Sequence, residues 1–266
     1  MEIAASSNFV YGSKVENIYD ETYFTKGLIR TLSSLRKNNI QVLTSPEPDL
    51  GGDLEIHVMH PYGAWTGIRL QAKRARIVGG VYTFPELAHS PRSSQDDGPV
   101  RGIQNARLFQ NAVDSGMIPL YVYYLPTSLV RIAEGRSGAM VGAAWDANHF
   151  IENRIKSAAT ILNRNTMPLS HLLCPLDQGA RHFAQRVEQL YVDHVEPIEA
   201  DADLSEDIER QFPGFIDLED SVFEETLHIR SSGNPPSIIQ QVFEGRSGYK
   251  LSEGLMGAIF IDDRTN

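Results

Sequence analysis

Phe24, Leu28, Leu32 and Leu35 recur at helical spacing and predict an amphipathic helix over residues 21–38, which Asn38-Asn39 stops. Ile40-Gln-Val-Leu43 reads as a short strand, ended by the loop that holds Pro46 and Pro48. Over residues 53–60 and 67–78 the period becomes two. Leu54, Ile56, Val58 and Leu70 then share one face, and Asp53, Glu55, Gln71 and Lys73 share the other. Pro61-Tyr-Gly-Ala-Trp-Thr66 supplies the turn. A turn centred near Gly63 opposes Asp53 to Lys73 and Glu55 to Gln71. A one-residue slip would scatter the polar set over both faces.

Further on, residues 85–101 are rich in Pro, Ser, Asp and Gly and read as a mobile loop. Residues 102–115 read as a helix with Ile103, Ala106, Phe109 and Val113 on its apolar side, followed by a buried strand over 118–124. The order to that point is helix, strand, strand, strand, helix, strand. Residues 146–163 and 178–195 predict helices, 238–244 a short helix, and 256–261 a last strand returning to the sheet. No repeat and no linker divides the chain. The expectation is one α/β domain over residues 1–266, with a core at about 15–125 and a C-terminal elaboration at 126–266.

The 266 residues, 41% of them hydrophobic, suffice for a sizeable core. The lone Cys174 excludes an intrachain disulfide, no apolar run approaches a membrane span, and the N-terminus lacks the basic and apolar regions of a signal peptide. A cytoplasmic protein without membrane contact is expected. The net charge of −10 argues against indiscriminate nucleic-acid binding. Arg69, Lys73, Arg74 and Arg76 nevertheless cluster without an acid, while residues 201–225 are strongly acidic.

An acid, an amide and a lysine on one hairpin face can anchor a divalent cation and orient water against a phosphate. Mg²⁺ takes oxygen ligands: the Asp53 carboxylate, the Gln71 side-chain oxygen and the Ala72 carbonyl. Lys73 would position the water and meet the phosphate charge. Glu21, on the core side of the first helix, is a candidate further ligand, and also a carboxylate suited to a helix N-terminus.

The set Asp53, Gln71-Ala-Lys-Arg74 resembles the PD-(D/E)XK, or restriction-endonuclease-like, nuclease superfamily, in the Mrr-like branch where Gln replaces the second acid. The resemblance implies an α-β-β-β-α-β core with a mixed central sheet flanked by helices. It implies catalysis by Asp53, Gln71, Lys73 and Glu21, with Mg²⁺ as cofactor and Mn²⁺ as an alternative. Eighteen residues between Asp53 and Gln71 is a wider spacing than in Mrr-type enzymes, which keeps Glu55 as an alternative metal ligand. Gln104 matches a polar residue that some relatives place near the site. With Arg69, Arg74 and Arg76 it is a candidate nucleic-acid contact. The activity implied is endonucleolytic cleavage of DNA in bacterial restriction or anti-phage defence, by a homo-oligomer or with a defence-system partner protein. The alternatives are a non-catalytic subunit that binds a partner or nucleic acid, and an RNA-directed nuclease. Other motifs carry less. His57 and His60 lie three apart on a strand and face opposite ways, which argues against zinc. Trp65 could stack on a base or fold back onto the sheet.

Overall fold

The computed structural model of the protein describes residues 21–34, 40–44, 53–59, 65–87, 103–131, 135–173, 186, 190, 235–246, 249–251, 255–262 and 264. The loop expected at 85–101 lies almost wholly outside this set. So do the helix expected at 178–195, apart from two residues, and the acidic stretch that follows it.

Seven strands form one mixed sheet: β1 (Ile40–Thr44), β2 (Asp53–Met59), β3 (Trp65–Arg74), β6 (Ile118–Tyr124), β7 (Ala139–Ala143), β8 (Thr166–Pro168) and β9 (Leu255–Asp262). Their spatial order is β1-β9-β2-β3-β6-β7-β8. The C-terminal strand β9 enters between β1 and β2, antiparallel to the first and parallel to the second. It is therefore part of the central sheet and not an appendage to it. β3 runs antiparallel to β2 and parallel to β6. The connection from β3 to β6 passes through a helix, as a parallel pair requires.

Helices cover both faces. α1 (Glu21–Ser34) lies over one, and Phe24, Leu28 and Ile29 pack there on Leu54, Ile56, Leu70 and Ile259. α2 (Ile103–Asp114) lies over the other, where Leu108 and Phe109 meet Tyr121 and Tyr123. α6 (Ser237–Phe243) shares that second face, with Ile239 and Val242 against Met59, Trp65 and Phe260.

Two readings needed correction, and one strand had no reading. Residues 67–78 are not one strand: β3 ends at Arg74, and β4 (Arg76–Val78) leaves the sheet to pair with β5 (Val81–Thr83) through a Gly79-Gly80 turn. Residues 146–163 form two helices, α3 (Ala144–Glu152) and α4 (Ala158–Leu162), with α5 (Leu169–Leu173) following β8. β7 gave no alternation because all five of its residues, Ala-Met-Val-Gly-Ala, are buried, and a strand covered on both faces loses the polar half of its pattern.

Candidate functional site

Alternation along β2 and β3 sorts the candidate residues. Leu54, Ile56, Val58, Ile68, Leu70 and Ala72 enter the aliphatic core beneath α1. Glu55, His57, Arg69, Gln71 and Lys73, the alternate residues, are also buried but turn to the α2 face. The hairpin register differs by two residues from the one drawn on the sequence. Glu55 is opposed to Arg69, not to Gln71. A shift of two preserves the faces, so the polar set stays together while its pairs change.

Arg69 donates from Nη1 to Glu55 Oε1 at 3.3 Å, His57 Nε2 lies 3.3 Å from Oε2, and the Tyr249 hydroxyl donates to Oε2 at 2.5 Å. Burial pushes the Glu55 carboxyl up. The hydrogen bond and charge of His57, the hydrogen bond of Tyr249 and the charge of Arg69 outweigh it, and the carboxyl is held below its ordinary value. Burial, then the charge and hydrogen bond of Glu55, push the Tyr249 hydroxyl up. The His57 ring lies parallel to Phe260 at 4.7 Å and to Trp65 at 5.9 Å. Gly67 opposes His57, and a Cβ there would come within 2.5 Å of the Trp65 ring. Trp65 thus folds back onto the sheet, 5% exposed. Glu55 spends its oxygens on three protein partners, so it is a poor metal ligand. Arg69, buried in the same network, is turned away from any phosphate in solution.

Lys73 is 4% exposed and donates from Nζ to Gln104 Oε1 at 2.7 Å. A buried ammonium requires such partners. Gln104 and Asn105, consecutive in the first turn of α2, reach two strands: the Tyr121 hydroxyl donates to Asn105 Oδ1 at 3.1 Å. Asn105 donates in turn to Asn148 at 3.0 Å, and Asn148 to Glu152 at 2.7 Å. Tyr121 is the β6 neighbour of Gln71, and Tyr123 that of Lys73. Burial, with the charges of Tyr121 and Asp146, raises the Tyr123 hydroxyl well above its ordinary value.

The remaining candidates separate. Asp53 opens β2, its backbone paired with Leu255, and its side chain lies outside the described residues. Glu21 opens α1, over the face opposite Lys73. Its charge is felt by Tyr124, whose hydroxyl burial raises, a hydrogen bond with Thr25 lowers, and Glu21 raises further. Arg74 is buried at the end of β3 in the parity of Ala72, on the α1 face. Arg76 has left the sheet and pairs with Glu86 at 2.8 Å. The fold therefore brings Gln71, Lys73 and Gln104 together, and leaves Glu21, Arg74 and Arg76 apart from them.

Sequence reasoning did not single out Tyr121, Tyr123, Asn105 or Tyr249. The run Pro119-Leu-Tyr-Val-Tyr-Tyr124 held a signal for the first two: period two puts Tyr121 and Tyr123 on one face. Tyr249 is 194 residues from Glu55, and no local pattern joins them.

No curated protein and no solved structure matches the chain. The profile of one family, described as a family of unknown function (DUF6615), matches residues 5–265, so nearly the whole chain belongs to that family.

Proposed function

We propose that the protein is a metal-dependent endonuclease of the PD-(D/E)XK type, with a restriction-endonuclease-like core, that hydrolyses phosphodiester bonds of DNA in bacterial restriction or anti-phage defence. One observation carries the reading: Gln71 and Lys73 stand two residues apart on one face of β3, both buried, with the lysine held by Gln104 beside a strand that Asp53 opens. A buried amide and ammonium are costly to place there, which asks for a reason beyond packing.

The donors fit a hard cation. The Asp53 carboxylate, the Gln71 amide oxygen and the Ala72 carbonyl are oxygen ligands of the kind Mg²⁺ or Mn²⁺ takes. When bound, such an ion neutralises phosphate charge and lowers the pKa of a water. Glu55 and Glu21 drop out of this set, the first tied to Arg69, His57 and Tyr249 and the second carried by α1. The chain's own residues supply the rest. Lys73 steadies the attacking water and the charge growing on the phosphate, and Gln104 fixes where its ammonium sits. Cutting both strands of a duplex requires two such sites and hence two copies.

Supercoiled plasmid and RNA, each incubated with Mg²⁺ and with EDTA, test the reading. The parent should nick and linearise the plasmid only with Mg²⁺, and Lys73→Ala and Lys73→Met should slow it by about 10²-fold or more. Equal cutting by parent and variants removes Lys73 from the chemistry, and cutting that survives EDTA removes the metal. The closed network of Glu55, Arg69, His57 and Tyr249 also suits a non-catalytic binding subunit. A parent that never cuts either substrate favours that second reading.

A further inference from the structure

We infer that the β4–β5 hairpin and the cationic loops on either side of it form a binding surface for double-stranded DNA. Ile77, Val78 and Val81 are three of the five exposed large apolar side chains among the described residues, about half exposed at 47%, 54% and 56%. They sit on a two-stranded ribbon separate from the main sheet. Gly79 and Gly80, at φ 60° and 82°, make the tight turn at its tip.

Two basic loops flank this ribbon. The Tyr82 hydroxyl bonds Ser128, and Arg131 donates to the carbonyls of Ser128 and Val130 at 2.8 and 2.9 Å, so Arg131 is fixed on one flank. On the other, Thr83 bridges to Ser157 and the Phe84 amide donates to the Lys156 carbonyl at 2.8 Å, which brings in the exposed Arg154 and Lys156. Residues 74–84, 126–131 and 153–157 hold no carboxylate on a chain of net charge −10, and the flanking Glu86 and Glu152 accept from Arg76 at 2.8 Å and from Asn148 at 2.7 Å.

Arg154 adds an independent sign. It ends α3 in the left-handed conformation, φ 56°, where its amide donates to Ile151 and that of Ile155 to Phe150. That position in a helix C-terminal motif favours glycine. An arginine held there against its backbone preference points to a task for the guanidinium.

The chemistry selects the ligand. Cations around a hairpin tip that carries no charge over residues 77–82 suit a phosphate backbone with a groove between its strands. The B-form major groove admits a two-stranded ribbon, and apolar side chains meet thymine methyl groups there. The major groove of duplex RNA is too narrow to take one. This surface also accounts for phosphate contacts that Arg69 and Arg74, both buried, do not make.

The test is binding of a short labelled DNA duplex in EDTA, followed by anisotropy across a salt series, with unlabelled duplex RNA as competitor. The parent should bind and prefer DNA. Arg131→Ala, Arg154→Gly and Lys156→Ala combined should weaken binding about tenfold or more and reduce the salt slope by about 3, roughly one unit for each phosphate no longer neutralised. Val78→Ser with Val81→Ser should weaken binding and leave the slope alone. Arg154→Gly by itself should raise the thermal midpoint while lowering affinity, a pair of effects that a folding defect does not give. The inference is overturned by a parent that ignores duplex DNA at low salt, by a combined variant with parental affinity and slope, by preference for duplex RNA, or by hairpin changes that alter only the oligomeric mass. Because EDTA prevents cutting, a parent that binds but never cleaves sustains this surface and removes the nuclease reading.

Discussion

The two faces of the central hairpin are built from alternate residues of the same strands, yet they are stabilised in opposite ways. Beneath α1, Leu54, Ile56, Ile68 and Leu70 are fully buried among other aliphatic side chains. Beneath α2 and the C-terminal segment, Glu55, His57, Arg69, Gln71 and Lys73 are just as deeply buried, and the described network joins Glu55 to three partners and Lys73 to Gln104. The first face depends on area removed from water and tolerates apolar exchange. The second depends on its buried charges keeping their partners, because desolvating an ion without one costs more than the pair returns.

The largest expected effect comes from orphaning a charge. Arg69→Ala should cost about 3–5 kcal/mol in urea melts at neutral pH, since Glu55 is left buried without its permanently charged partner. Pairing Glu55→Leu with Arg69→Met should recover most of that loss. A single-variant cost under about 1 kcal/mol would put this pair in the class of surface pairs and erase the contrast between the faces.

On the aliphatic side, Leu70→Ala should cost about 2–5 kcal/mol from lost transfer energy and the cavity left behind, with no partner change able to restore it. Rescue of Leu70→Ala by an apolar replacement of Glu55 would mean that the two faces are not independent.

Tyr249→Phe removes the donor to Glu55 Oε2 and should cost about 1–3 kcal/mol. Acid sharpens the same point. The Glu55 carboxyl is held below its ordinary value of 4.5, so its contribution is whole above that pH and is lost as pH falls through the depressed value. Stability of the parent should therefore drop more steeply below about pH 4.5 than that of Glu55→Gln, whose side chain does not titrate. Identical acid profiles would remove the carboxylate from the stabilising network.

The smallest effect belongs to the polar contact between Thr25 and Tyr124 on the α1 side, at 3.0 Å. Thr25→Val should cost about 1 kcal/mol, measured by the same melts. A loss as large as that of Arg69→Ala would show that polar contacts matter equally on both faces.

The alternating pattern of residues 53–74 was enough to name the polar face and its members. A two-residue error in register left that assignment intact, because the side-chain period of a strand is two. The helix over 21–34, the strand over 118–124 and the last strand at 255–262 were likewise readable from local periodicity. What each polar residue does was not readable. Glu55 is a neighbour of Arg69 across one turn but of Tyr249 across most of the chain, and Lys73 finds Gln104 only because α2 crosses that face. Arg69, Arg74 and Arg76 look alike as a basic run. The strand's alternation and its break at Ala75 send them to the α2 face, the α1 face and a separate hairpin. Sequence by itself determined the helix over 21–34, the strands over 53–59, 65–74, 118–124 and 255–262, and which residues share a strand face, since those depend on near neighbours. Only the tertiary structure decided which charges meet, that β9 slots between β1 and β2, and that an apolar ribbon stands among basic loops, since each depends on distant segments packing together.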